Sequence, residues 1–161
     1  MKNLHENSAV AFPDLVLAAA TAFTTAANTV DLTQYNEVLI VLQLNQAGAG
    51  TGAVTLKQSS LSDGSDEKAL AFTEYFKNEV GVTTSVLTRV AGSTLTTAGP
   101  TTGANTYLFR VRAEMLDADN DFRFVRLDLA GLANNTAAAL IYIPYAATVA
   151  RGADDMPEAL N

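Results

Sequence analysis

Tyr107-Leu108-Phe109-Arg110-Val111-Arg112-Ala113-Glu114-Met115 alternates apolar and polar positions with a period of two. A β-strand turns successive side chains to opposite faces, so Tyr107, Phe109, Val111 and Ala113 face a core. Leu108, Arg110, Arg112 and Glu114 face outward. Upstream, Val38 to Leu42 is apolar at every position within the run Glu37 to Leu44, as a central sandwich strand would be. Ala53 to Ser59 alternates again, with Val54, Leu56 and Gln58 on one face. The glycine-rich stretch Gln46 to Gly52 joins these two runs in what reads as a hairpin. Downstream, Phe122 to Leu129 and Ala137 to Tyr145 supply two more strands, with Asn134-Asn135 as the turn between them.

The remaining segments are less sharply patterned. Residues 1–13 are polar, end at Pro13 and read as an arm. Asp14 to Ala26 reads as a strand, although its alanines would tolerate a helix, and Asn28 marks a turn before Val30 to Tyr35. Lys68 to Glu79 fits a helix capped by Ser65 or Asp66, but Leu70, Phe72, Glu74 and Phe76 also alternate as in a strand. The β-rich context, continuing through Val80 to Val90, favours the strand. Residues 91–106 consist of small residues and read as a surface loop, and residues 151–161 form an acidic tail. The expected organisation is an N-terminal arm (1–13), one domain (14–150) and a C-terminal tail (151–161). Short strands punctuated by Gly, Asn and Asp predict an all-β fold, an antiparallel β-sandwich that is jelly-roll-like with extended arms at both ends.

Composition narrows the function classes. At 161 residues the chain fits one domain and can bury a core without a metal or disulfide staple. Hydrophobic residues make up 48% and charged residues 17%, which excludes bulk disorder and leaves Ala and Thr where Lys and Glu would stand. Such surfaces suit packing against neighbours. A net charge of -7 repels nucleic acid and anionic membranes, so neither is an expected partner. Leu15 to Ala22 is apolar but follows Asp14, and no stretch approaches the roughly 20 apolar residues that a spanning helix needs. The chain is expected to be soluble and unprocessed. It has no cysteine, no tryptophan and one histidine, His5, in the polar N-terminal stretch. Catalysis needs positioned acids, bases, nucleophiles or metals, and this inventory offers few.

Four local features invite chemistry and each has a plainer reading. Asp117-Ala118-Asp119-Asn120-Asp121 matches the opening of a calcium loop, but Phe122 stands where glycine is needed and Asp128 where glutamate is needed. A solvated turn is the preferred reading. Gly48 to Gly52 lacks the Lys-Ser or Lys-Thr of a phosphate loop and leads into a strand. His5 has no cysteine to share a metal with, and there is no GxSxG elbow for a nucleophile. Tyr142 and Tyr145 could form a sugar platform, although packing at a strand end suits them better. No catalytic, cofactor-binding or metal-ligating residue is assigned, and the chain is not expected to be an enzyme.

Two blocks carry a resemblance. The first is Val30-Asp31-Leu32-Thr33-Gln34-Tyr35, followed by the strand Val38 to Leu44, the glycine loop and Val54 to Ser59. The second is Phe124-Val125-Arg126-Leu127-Asp128-Leu129, then the small-residue strand Thr136 to Tyr145. In this order they resemble the head decoration (cement) proteins of tailed bacteriophages, over about residues 28–59 and 107–150. The resemblance implies a structural virion protein on the capsid exterior, made in the bacterial host cytoplasm. Its implied partners are the major capsid protein and further copies of itself, as a trimer or dimer. Tail or head-tail joining proteins and carbohydrate-binding β-sandwich modules are the alternatives.

Overall fold

The alternating runs form β-strands that all pair antiparallel. The computed structural model describes residues 11–16, 23, 24, 26, 28–46, 50–79, 86–99, 103–130 and 135–148. Among them lie β1 (Ala11–Val16), β2 (Val30–Asp31), β3 (Tyr35–Gln46), β4 (Gly50–Ser59), β5 (Lys68–Leu70) and β6 (Glu74–Asn78). β7 (Thr88–Ala91), β8 (Leu95–Gly99), β9 (Gly103–Arg112), β10 (Phe124–Ala130) and β11 (Asn135–Ala147) complete the set. The larger sheet runs β1-β11-β3-β9-β6-β7. The smaller runs β2-β10-β4-β5, and β8 also pairs with β4. β5 lies along Leu56 to Gln58, while β8 lies along Gly50 to Val54. The all-β antiparallel sandwich expected from the sequence is what the chain forms.

The winding is nested. β1 pairs with β11, β2 with β10, β3 with β9 and β4 with β8. Successive strands from β1 to β4 alternate between the two sheets, and β8 to β11 retrace that path in reverse. β5, β6 and β7 form the excursion at the far end. Between the sheets lie Val38, Ile40, Leu42 and Leu44 of β3, with Tyr107, Phe109 and Val111 of β9 and Leu140 and Tyr142 of β11. Val54 and Leu56 of β4 and Val125, Leu127 and Leu129 of β10 meet them from the smaller sheet. Each such large side chain contributes about 1.5–3 kcal/mol by leaving water. Phe72 packs edge-on against Phe109 at 5.3 Å between ring centres and against Tyr75 at 6.2 Å.

Several sequence expectations need correction. β3 and β4 are not a hairpin, since they belong to opposite sheets. β10 and β11 likewise lie in opposite sheets. Alternation reports which face of a strand is buried, not which strand lies beside it. Residues 91–106, read as a loop, hold β8 and the start of β9. Leu95 and Thr97 are buried there, and the Thr97 hydroxyl accepts from the Gly52 amide at 2.9 Å. A Cβ on Gly52 would sit 2.8 Å from the Leu129 Cδ1, so a larger residue there would have to push that buried side chain aside. Lys68 to Glu79 is two strands in different sheets, β5 and β6, and the inward positions shift from Leu70 and Phe72 to Tyr75. β9 ends at Arg112, and Ala113–Met115 turns as a 3-10 helix. β1 begins at Ala11, within the stretch read as an arm. Pro13 falls where the register to β11 shifts, on an edge strand that tolerates a missing donor.

Candidate functional site

The outer face of the larger sheet carries the most distinctive arrangement. Because Val38, Ile40 and Leu42 turn inward, Leu39 and Val41 turn outward and stay half-buried. Val41 lies opposite Ile141 on one side and Leu108 on the other, and Leu108 lies opposite Phe76. An apolar row thus crosses four strands. Leu39 and Ile143 form a shorter row beside it. This explains why the Val38 to Leu42 run is apolar throughout: its second face is an apolar outer surface, not a second core.

A charged cluster bounds one end of this face. Glu37 accepts from Arg110 Nε at 2.6 Å and from Arg110 Nη2 at 2.7 Å, and the Tyr145 hydroxyl also donates to it. Arg112 pairs with Glu114 at 3.0 Å. The Arg110 hydrogen bonds hold the Glu37 carboxyl below its ordinary range, while burial, with Glu37 beside it, raises the Tyr145 phenol. At the opposite end, small side chains leave a hollow of about 310 Å³ lined by residues that include Gln43, Ala104, Thr106, Ala137 and Ala139.

The outside of the smaller sheet is built differently. Arg126 points outward from β10, yet its side chain is only 4% exposed. Glu67 accepts two hydrogen bonds from it at 2.6 and 2.8 Å, and Asp128 a third at 2.8 Å. This fork clamps the segment after β4 onto the sheet. Ser60 and Leu61 amides donate to Asp66, closing the same segment on itself. Gly64 turns there with φ 68°, a conformation in which an added Cβ would lie 2.5 Å from the Ala26 carbonyl oxygen.

The Asp117–Asp121 turn lies next to this segment. Asp117 is ion-paired with Lys68 and accepts from the Asn120 amide at 2.8 Å, and Asp121 closes the turn in the left-handed region with φ 62°. Lys68 is the first cause of the lowered Asp117 pKa. Among the described residues no group of three His, Cys, Asp or Glu side chains is placed to hold a metal ion. Excess calcium is therefore expected to leave the melting temperature unchanged. A folded-state site would raise stability by about 2.7 kcal/mol at a hundredfold excess over its Kd, and a calcium-dependent rise in differential scanning fluorimetry would overturn this.

Tyr142 and Tyr145 do not form one platform, because they lie on opposite faces of β11. Tyr142 is fully buried and reaches across the core. β2 covers only Phe124 and Val125 of β10; farther along that edge the Leu127 amide donates to the Tyr142 hydroxyl at 2.8 Å. That hydroxyl donates in turn to the Asn28 carbonyl at 3.3 Å. Tyr142→Phe would strand a buried amide and is expected to cost about 1–3 kcal/mol in a denaturant titration. An unchanged midpoint would show that the contact contributes nothing. Gly48 and His5, like the tail 151–161 and residues 1–10 of the arm, lie outside the described residues; Gly50 and Gly52 belong to β4.

Sequence reasoning missed the Arg126 clamp and the Tyr142 tether. An arginine at an outward position and a tyrosine near a strand end carry no signal of their partners. The outer apolar row was detectable, since Leu108 sits at an outward position of the alternating run Tyr107 to Met115. No family model matches the chain, and no curated protein or solved structure matches it either.

Proposed function

We propose that this protein is a structural component of a tailed-bacteriophage virion that decorates the capsid exterior and stabilises it by binding across capsomer boundaries. The observation that carries this reading is the broad, half-buried apolar face on the outside of the larger sheet. A rigid sandwich offering such a face is suited to adding burial at a seam between subunits, with many copies giving retention through avidity. The nested pairing of β1 to β4 with β11 to β8 supports a jelly-roll-like winding, an architecture used in viral capsid and lectin domains, which is an argument by fold analogy. The resemblance of residues 28–59 and 107–150 to head decoration proteins points the same way. On this reading its partners are the major capsid protein and further copies of itself, as a dimer or trimer, and it acts without a cofactor.

The test uses virions produced without this protein. Added full-length protein is expected to bind them to saturation and raise the temperature at which they release DNA. A variant lacking residues 1–10, which leaves β1 intact, binds more weakly if the arm adds contacts to the shell. Failure of the full-length protein either to bind or to protect would sink the capsid reading and favour a tail or head-tail joining role. A signal on a glycan array would instead favour sugar binding, though with Tyr142 buried the two-tyrosine platform is not there to provide it.

A further inference from the structure

We propose that the outer face of the larger sheet is a self-association surface, on which a second copy packs about a two-fold axis lying along the row Ile141–Val41–Leu108–Phe76. This rests on the self-association part of the reading above and names its surface. Size comes first. Five strand spacings of about 4.8 Å and eight rises of about 3.3 Å from Glu37 to Asn45 make a face roughly 25 Å on a side. That is the order of the roughly 800 Å² that each partner contributes to a standard interface.

Charge selects the face. A chain of net charge -7 repels its own copies, so association is favoured where that repulsion is smallest. The outward positions of β3, β6, β7 and β9 carry Glu37 and Glu74 against Arg89, Arg110 and Arg112, and Glu114 pairs with Arg112 beside them, three negative and three positive charges that sum to zero. The rest of the molecule must hold the excess of acid.

Shape selects the symmetry. Arg110 and Arg112 stand at one side of the apolar row, and the hollow beside Gln43, Thr106 and Ala139 lies at the other. A half-turn about an axis along the row exchanges those ends. It lays the apolar row on its own copy and brings each Arg110 guanidinium over the other copy's hollow, where the Gln43 side-chain carbonyl can accept. Such a contact is isologous, the same patch serving both partners, and it keeps the strands of the two facing sheets nearly aligned.

The experiment is sedimentation equilibrium of the full chain without particles, from micromolar to hundreds of micromolar. A monomer–dimer equilibrium is expected, and Val41→Asp should raise its Kd at least tenfold with the circular dichroism spectrum unchanged. Because Val41→Asp could disturb the strand itself, a second measurement uses the absence of native cysteine. Val41→Cys puts one thiol on the axis facing its mate, and a bis-maleimide spanning about 10 Å, the distance between packed sheets, should link it into dimers. Thr55→Cys, exposed on the other sheet, should not be linked. A native chain that stays monomeric or forms a trimer, undiminished dimerisation by folded Val41→Asp, or equal linking at both cysteines overturns the proposal. Loss of the dimer in Val41→Asp with particle binding retained would support this surface for self-association and show that the shell is held by another face of the molecule. Failure of the native chain to bind particles would sink the capsid reading alone.

Discussion

Leu127→Asp is expected to leave the chain unfolded at room temperature, without a cooperative thermal transition. Leu127 is 1% exposed, sits opposite Leu56 in the smaller sheet and faces the core strands of the larger one. The substitution forfeits about 1.5–3 kcal/mol of apolar burial. It also places a carboxylate where the described core offers it no cation, at a cost of several kcal/mol more unless it takes up a proton. Domains of this kind hold only about 5–15 kcal/mol in total. The check is thermal unfolding followed by circular dichroism; a sigmoidal melt within a few degrees of the native protein would mean that β10 is not the core strand described.

Arg126→Ala is the second large effect, with an expected loss of about 2–4 kcal/mol. Removing one member of a buried ion pair typically costs about 3–5 kcal/mol. Glu67 and Asp128 keep some exposure, 24% and 19%, so water recovers part of that cost. Acid should report on the same contact. The Arg126 hydrogen bonds lower the folded pKa of Glu67 from 4.5, so its stabilisation is present above about pH 4.5 and is lost as pH falls through the lowered folded value. In Arg126→Ala that share of the acid sensitivity should vanish. Denaturant midpoints measured at pH 7 and at pH 3 for both proteins decide it; an equal fall in midpoint on acidification would show that Glu67 draws nothing from Arg126.

What the sequence revealed follows from what period-two alternation encodes. In Tyr107 to Val111 and Val54 to Gln58 it identified the buried face correctly, because one face of each strand meets the same core. It could not identify neighbours, so β3 and β4 looked like a hairpin when they face each other across the core. β8 escaped notice because Thr96, Thr97 and Ala98 lack bulk, and Thr97 matters through its hydroxyl on the Gly52 backbone. The burial of Arg126 left no trace for a similar reason: it depends on a segment some 60 residues away, which no local pattern reports. The outer face was half-legible, with Leu39, Val41 and Leu108 visible but assigned to a central strand or to a solvated surface.

The nested winding has a mechanical consequence. β1 and β11 are paired to each other antiparallel, with Ala11 opposite Tyr142 and Val16 opposite Ala138, so the chain enters and leaves this pair at the same end. Tension applied through the two ends of the chain therefore loads the ladder one rung at a time, as in opening a zip, and does not shear all rungs together. Once β1 has peeled away, the bridge between Phe23 and Leu129 is next, and after it β2 against β10, paired at only two positions. Pulled through its ends, this sandwich should yield at low force and unroll inward from its termini. Pulled through Glu37 on β3 and Gly103 on β9, at opposite ends of a ladder in which ten residue pairs share the load, it should resist far longer.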